Sequence, residues 1–166
     1  MIILKKNIKF LITLFLLLGL SFHSNFVYAA SSSGNGAADK TSLYKSGKKL
    51  VLRAKKLEKK DKIEKAKKLY LKAYSKFEKA YVKDKKNADI LNYLGYTLRK
   101  TGDFEKAETY YLKGLELDSG HLGINEYLGE LYVQTGRLEL AKERLEVLSG
   151  CKCEEYEELK ELIEEN

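Results

Sequence analysis

The feature that most constrains this chain is an internal repeat of 34 residues, which aligns residues 88–121 with residues 122–155. The identical positions are Ile90, Tyr93, Leu94, Gly95, Thr101, Gly102, Glu105 and Ala107, which recur as Ile124, Tyr127, Leu128, Gly129, Thr135, Gly136, Glu139 and Ala141. A period of this length is typical of stacked helical hairpins, each of which buries its apolar face against a neighbour. Such an array is usually a binding surface, so the repeat indicates a class of function and does not name the partner.

Each unit of the repeat carries the signals of two helices and a tight turn. Leu91, Leu94 and Leu98 form one apolar stripe, and Gly95 lies on it, where a second helix can cross closely. Gly102 then suits a left-handed helix end. Over the whole chain, the periodicity predicts helices at residues 43–59, 62–83, 88–101, 104–117, 122–135, 138–149 and 154–165.

An earlier copy of the unit is found when the period is stretched to 41 residues. At that offset, residues 63–66 and 70–73 match residues 104–107 and 111–114. The seven additional residues correspond to about two helical turns. We therefore expect a longer second helix in this first unit, with its apolar face almost unrotated.

This spacing resembles the tetratricopeptide repeat. The matching residues of the second unit are Leu91, Leu94, Gly95, Leu98, Gly102, Phe104, Ala107, Tyr111 and Gly114. Those of the third are Leu128, Gly129, Tyr132, Gly136, Leu138, Ala141 and Leu145. Asn125 and Leu148 depart from the family pattern, and Ser119 stands where the family usually has proline.

We predict an all-α fold, a helical-hairpin solenoid of about three repeats plus a C-terminal capping helix. The repeats are placed at about residues 47–87, 88–121 and 122–153, within a domain that spans residues 42–166. Residues 154–165 are apolar on one side and acidic on the other, as a terminal cap requires. Residues 30–41, rich in Ser, Gly and Ala, are interpreted as a flexible linker.

Residues 1–29 have the pattern of a secretory signal peptide. Lysines precede an apolar run at residues 10–22, and Ala29 supplies the small residue before a cleavage site. The run is shorter than the roughly 20 apolar residues of a transmembrane helix. We expect export with cleavage after Ala29, rather than retention as an anchor, and a location in the periplasm in preference to the extracellular medium.

Charge is unevenly distributed along the chain. Residues 38–87 contain 19 lysine or arginine residues against 6 acidic ones, whereas residues 88–166 contain 9 against 18. These residues are either solvated helix faces or, in the basic half, a surface that attracts an anionic envelope component. Because export separates the protein from nucleic acid, we do not expect a nucleic-acid partner.

No catalytic constellation is present in the sequence, so we expect a protein that is not an enzyme and needs no cofactor. His121 is the one histidine beyond the signal region, too few to orient a nucleophile or to complete a metal site. Cys151 and Cys153 form the one reactive pair. They are interpreted as a local disulfide, as free or intermolecularly paired thiols, or as a redox or soft-metal site.

The resemblance implies a concave groove lined by the first helix of each repeat, where a protein or peptide segment would bind. The implied groove residues are Lys48, Lys55, Asp89, Asn92, Tyr96, Arg99, Glu126 and Glu130. Asn92, Tyr96 and Arg99 share one helix face, from which they could contact a peptide backbone and an acidic group. Because the groove runs from a basic to an acidic unit, the partner should carry the opposite polarity.

The first hypothesis is therefore a non-enzymatic adaptor of the bacterial envelope. A second is a structural protein that self-associates, its basic N-terminal half meeting the acidic C-terminal half of another molecule. A third is a thiol redox or metal-handling accessory that uses Cys151 and Cys153. The sequence leaves the oligomeric state open.

Overall fold

The structure, a computed structural model, describes residues 35–166, with side chains from Asp39 onward. The signal-peptide prediction and the first residues of the predicted linker lie outside this part of the chain. Residues 33–166 form one compact unit with its own core. Among the described helices, none is both long enough and apolar enough to cross a membrane.

The described residues form seven α-helices and no strand. Helices α1 and α2, α3 and α4, and α5 and α6 pack as hairpins, and α7 packs against α5 and α6. The predicted all-α solenoid with a terminal capping helix is confirmed. The helices are α1 Asn35–Glu58, α2 Ile63–Lys83, α3 Ala88–Arg99, α4 Phe104–Leu117, α5 Leu122–Gln134, α6 Leu138–Leu148 and α7 Glu154–Glu164.

The first hairpin is longer than the others. Helix α2 has 21 residues and α4 has 14, which matches the two additional turns expected from the stretched repeat. The extra turns of α2 carry Phe77 and Ala80, both fully buried. A glycine of α1 allows the helices to approach, because a Cβ atom at Gly47 would lie 2.6 Å from Phe77 Cζ.

The linker prediction for residues 35–41 is wrong, because α1 begins at Asn35. The longer α2 needs a longer neighbour to cover its apolar face. Two ion pairs join the far ends of these helices. Lys40 Nζ lies 2.8 Å from Asp84 Oδ2, and Lys83 Nζ lies 2.8 Å from Asp39 Oδ2.

Close helix contacts in the later repeats depend on glycine, as the sequence predicted for Gly95. A Cβ atom at Gly95 would lie 2.5 Å from Cε1 of the buried Tyr111 ring. Likewise, a Cβ atom at Gly129 would lie 2.5 Å from Leu159 Cδ2, so the capping helix α7 packs directly on α5. Leu159 is fully buried there, which shows how the cap removes the last apolar stripe from water.

The turns follow the repeat pattern. Gly102 and Gly136 have φ values of 95° and 72°, the left-handed conformation expected at these helix ends. Asn125, which departs from the family pattern, is fully buried and is satisfied by the preceding loop. Its Nδ2 donates to the carbonyl oxygens of Ser119, at 3.0 Å, and His121, at 3.1 Å.

Candidate functional site

The first helices of the three hairpins, α1, α3 and α5, bring the predicted groove residues together on one side, which we call the inner face. Lys55 on α1 shows this most directly, because its Nζ lies 5.3 Å from the ring centre of Tyr96 on α3 and 5.9 Å from that of Tyr127 on α5. All three repeats therefore contribute to one surface.

The inner face is more closed than the sequence suggested. Asn92, Tyr96, Arg99 and Glu126 are 3% to 6% exposed, whereas Lys48, Lys55 and Asp89 are exposed and Glu130 is half-buried. For Tyr96 and Arg99 the cover comes from the next repeat, because the Tyr127 ring lies 4.8 Å from the Tyr96 ring and 5.6 Å from the Arg99 guanidinium. Direct contact of Asn92, Tyr96 and Arg99 with a peptide stays a prediction, and it requires the covering side chains to move.

A row of tyrosines runs along the inner face. The Tyr44 and Tyr93 rings are 5.7 Å apart, and the Tyr96 and Tyr127 rings are 4.8 Å apart. Lys48 Nζ lies 5.5 Å from the ring centre of Tyr44 and 5.6 Å from that of Tyr93. Lys55 lies over the Tyr96 and Tyr127 rings in a similar way. Cations over aromatic rings are attracted to the π face.

Tyr44 and Tyr127 were not among the predicted groove residues. The repeat contains a signal for Tyr127, since Tyr93 occupies the same position one period earlier. For Tyr44 no such signal exists, because it lies in the additional turns of the first hairpin, where the two later repeats have no counterpart.

Arg99 is already paired within the protein. Its Nη1 lies 2.6 Å from Glu130 Oε2, and its guanidinium lies 5.6 Å from the ring centres of both Tyr96 and Tyr127. The Arg99 side chain is only 2% exposed. Arg99 therefore fixes the relation of α3 to α5, and an acidic group of a ligand would have to compete with Glu130.

Asn92 offers an unused acceptor on the same face of α3 as Arg99, about two helical turns away. Its side chain is buried, and its Oδ1 has no hydrogen-bond donor among the described residues. Leaving a buried polar atom without a partner costs about 1–3 kcal/mol. A donor from a bound segment, such as a peptide N–H, would remove that cost.

The far end of the inner face is acidic, and the capping helix contributes to it. Glu126 and Tyr127 of α5 and three carboxylates of α7, with Lys55 at the edge, line a pocket of about 160 Å³. Burial raises the pKa of Glu126, the adjacent carboxyl groups of Glu158 and Glu130 add to the effect, and together they bring it to about 9. The α7 carboxylates are Glu154, Glu155 and Glu158. The sequence predicted α7 as a capping helix, but it did not predict that carboxylates of α7 line this pocket.

The remaining reactive residues lie in loops. The sulfur atoms of Cys151 and Cys153 are joined in a disulfide in the turn before α7, with Cα atoms 5.2 Å apart. His121 caps α5, since its Nδ1 accepts a hydrogen bond of 3.2 Å from the Ile124 N–H. In the described part of the chain, no group of three or more His, Cys, Asp and Glu side chains is arranged to hold a metal ion.

Comparison with protein families decides what this architecture is. A family profile described as tetratricopeptide repeat matches residues 50–119, which span most of the first two hairpins. Residues 50–119 belong to the tetratricopeptide repeat family, and the described residues share its fold. The third repeat follows from its 34-residue offset to the second, and the inner face is the side formed by the first helix of each tetratricopeptide unit.

Solved structures share this tetratricopeptide fold. The type III secretion translocator chaperone SycD of Yersinia enterocolitica is 20% identical, with a TM-score of 0.52 over 74% of this chain and 90% of SycD. SycD in complex with a peptide of the translocator YopD is 22% identical, with a TM-score of 0.48 over 71% and 86% of the two chains.

The second tetratricopeptide domain of human RPAP3, in complex with an HSP70 peptide, is 23% identical, with a TM-score of 0.48 over 74% of this chain and 97% of that one. The likeness to free SycD, with its TM-score of 0.52, is one of fold. A search of curated protein sequences finds no match.

Proposed function

We propose that this protein is a non-enzymatic tetratricopeptide repeat adaptor, which holds an extended segment of another protein along its inner face. The observation that carries the proposal is the continuous surface to which all three repeats contribute. Lys48 and Lys55 lie at its α1 side, a row of tyrosines follows, and carboxylates of α5 and α7 lie at the other end. Once the covering side chains move, the acceptor of Asn92 can receive a backbone N–H between them.

The charges of the inner face define the class of segment. In the part of the chain that the structure describes, no carboxylate lies within 4 Å of Lys48 Nζ or Lys55 Nζ. Glu130, Glu158 and Glu161 line a common surface at the acidic end. A segment with an acidic residue towards α1, an aromatic or apolar centre and a basic residue towards α7 would match this order.

A synthetic peptide with that order of charges tests the proposal. We expect it to bind the protein at least about tenfold more tightly than a peptide of scrambled sequence, as measured by fluorescence anisotropy, because complementary charges set orientation and register. Replacing Lys48 and Lys55 together by Glu should weaken binding about tenfold.

The matched control replaces Lys59 and Lys60 by Glu. These two exposed lysines lie in the turn after α1, away from the inner face, and the control changes net charge equally. Equal affinity for the ordered and scrambled peptides, or equal loss in both double variants, would contradict the inner face as the binding site.

We further propose that the adaptor acts outside the cytoplasm, in the bacterial envelope. This rests on the signal-peptide pattern of residues 1–29. Cell fractionation should place the protein in the periplasm, and amino-terminal sequencing should read from Ala30. Recovery of this protein from the cytoplasmic fraction with Met1 still present would contradict this part of the proposal.

A further inference from the structure

The first hairpin has a second charged surface, distinct from the inner face. Three cations of α1 and three of α2 line two adjoining grooves on its outside, and the groove between the helices has a volume of about 530 Å³. We call this surface the basic outer face. Its cations are Lys45, Lys49, Arg53, Lys72, Lys76 and Lys79.

None of these six cations has a carboxylate within 4 Å among the described residues. Elsewhere in the domain, cations such as Lys106, Arg137 and Lys142 have ion-pair partners. Six like charges in one area repel one another and attract a polyanion. The basic outer face is therefore complementary to a surface of dense negative charge.

Large apolar side chains lie exposed on the same hairpin. Leu52, Leu71 and Val82 are 58%, 56% and 73% exposed. Leu71 and Val82 are eleven residues apart, about three helical turns, so they lie on one stripe of α2, and Leu52 follows Lys49 by about one turn. A bilayer of anionic phospholipid offers both anionic headgroups and an apolar layer below them, whereas a soluble polyanion offers only charge.

We propose that the basic outer face docks on an anionic phospholipid bilayer. Docking through this face would leave the inner face free, as the positions of Arg53 and Lys55 on α1 show. They are two residues apart on α1, about 200° around the helix axis, and Arg53 lines the outer groove while Lys55 lies over Tyr96 and Tyr127. The adaptor would then hold its segment at a membrane surface, a role that goes beyond segment binding itself.

Co-sedimentation with vesicles tests this inference. The protein should begin at Ser33, because the apolar run at residues 10–22 would bind bilayers by itself and residues 33–166 form a compact unit with their own core. We expect binding to vesicles of equal parts phosphatidylcholine and phosphatidylglycerol at about 0.05 M salt, weak binding at about 0.3 M salt, and none to phosphatidylcholine alone.

Charge reversal locates the surface. Each cation near an anionic bilayer contributes about fivefold in affinity, so replacing Lys49, Lys72 and Lys76 by Glu should weaken binding at least about a hundredfold. The matched control replaces Lys113, Lys142 and Lys152 by Glu, exposed lysines of the acidic half, with the same change in net charge. Helical circular dichroism should be the same for both triple variants and the unaltered domain. Equal losses in the two variants would overturn the proposal.

Two further measurements exclude other occupants. Replacing Leu52 and Leu71 by Ser should reduce vesicle binding several-fold. If these two substitutions leave vesicle binding unchanged and the protein also binds polyphosphate tightly in solution, the ligand of the basic outer face is a soluble polyanion and not a bilayer. Sedimentation without vesicles should show a monomer at about 0.05 M salt. The protein could instead form oligomers that dissociate at high salt. If replacing Lys49, Lys72 and Lys76 by Glu abolishes such oligomers, the occupant of the basic outer face is a second copy of this chain.

Discussion

Replacing Gly95 by valine should lower the free energy of unfolding by about 3 kcal/mol or more. Even the first added carbon would lie 2.5 Å from Cε1 of Tyr111. The Tyr111 ring is fully buried and cannot swing aside, so α3 and α4 must separate. Separation exposes the core between the second and third repeats, which includes Ile124 and Leu128. Urea denaturation followed by circular dichroism measures the loss.

Gly150→Val provides the matched control for this substitution. A Cβ atom at Gly150 would meet no atom within 4 Å. We expect its effect on the free energy of unfolding to stay within about 0.5 kcal/mol. Similar effects of the two substitutions would show that the contact between Gly95 and Tyr111 does not limit the packing of the second repeat.

Replacing Glu126 by glutamine should stabilise the domain by about 2 to 4 kcal/mol at pH 8 and leave its stability at pH 4 almost unchanged. Burial, together with the neighbouring carboxyl groups of Glu158 and Glu130, raises the pKa of Glu126 in the folded protein from 4.5 to about 9. Between these values, the folded protein holds a proton that the unfolded chain releases. Stability therefore falls as pH rises through this window, and glutamine removes the dependence.

The measurement is the difference in unfolding free energy between the Glu126→Gln variant and the unaltered protein at several pH values from 4 to 8. Carboxyl groups that do not interact with Glu126 titrate alike in both proteins and cancel in that difference. Glu116→Gln, at an exposed position of α4, is the control and should give a flat difference. A flat difference for Glu126→Gln as well would mean that Glu126 ionises normally in the folded protein.

Much of the fold followed from spacing. The leucine stripe, the glycine that begins the turn and the small residues at helix crossings are local signals that recur with the repeat, so the later helices agree with prediction to within two residues. The start of α1 does not follow from such signals. Residues 35–41 are helical because the longer α2 lies beside α1, and that cause is distant in sequence.

The candidate site was less accessible to sequence reasoning than the fold. The repeat placed Asn92, Tyr96 and Arg99 on one helix face, and the structure agrees. The burial of Tyr96 and Arg99 depends on how far each repeat rotates relative to the last, because Tyr127 of the third repeat packs against both. A 34-residue period does not encode that rotation. The contribution of the capping helix to the acidic end was missed for the same reason.

The two additional turns of the first hairpin make the ends of this protein unequal. Seven residues add about 10 Å to α2, and a neighbour of ordinary repeat length on the far side of the first hairpin would leave that extension uncovered. The second and third repeats, in contrast, are equal in period. Lengthening by duplication is therefore compatible with the boundary at residue 121, where the units on both sides have the same period.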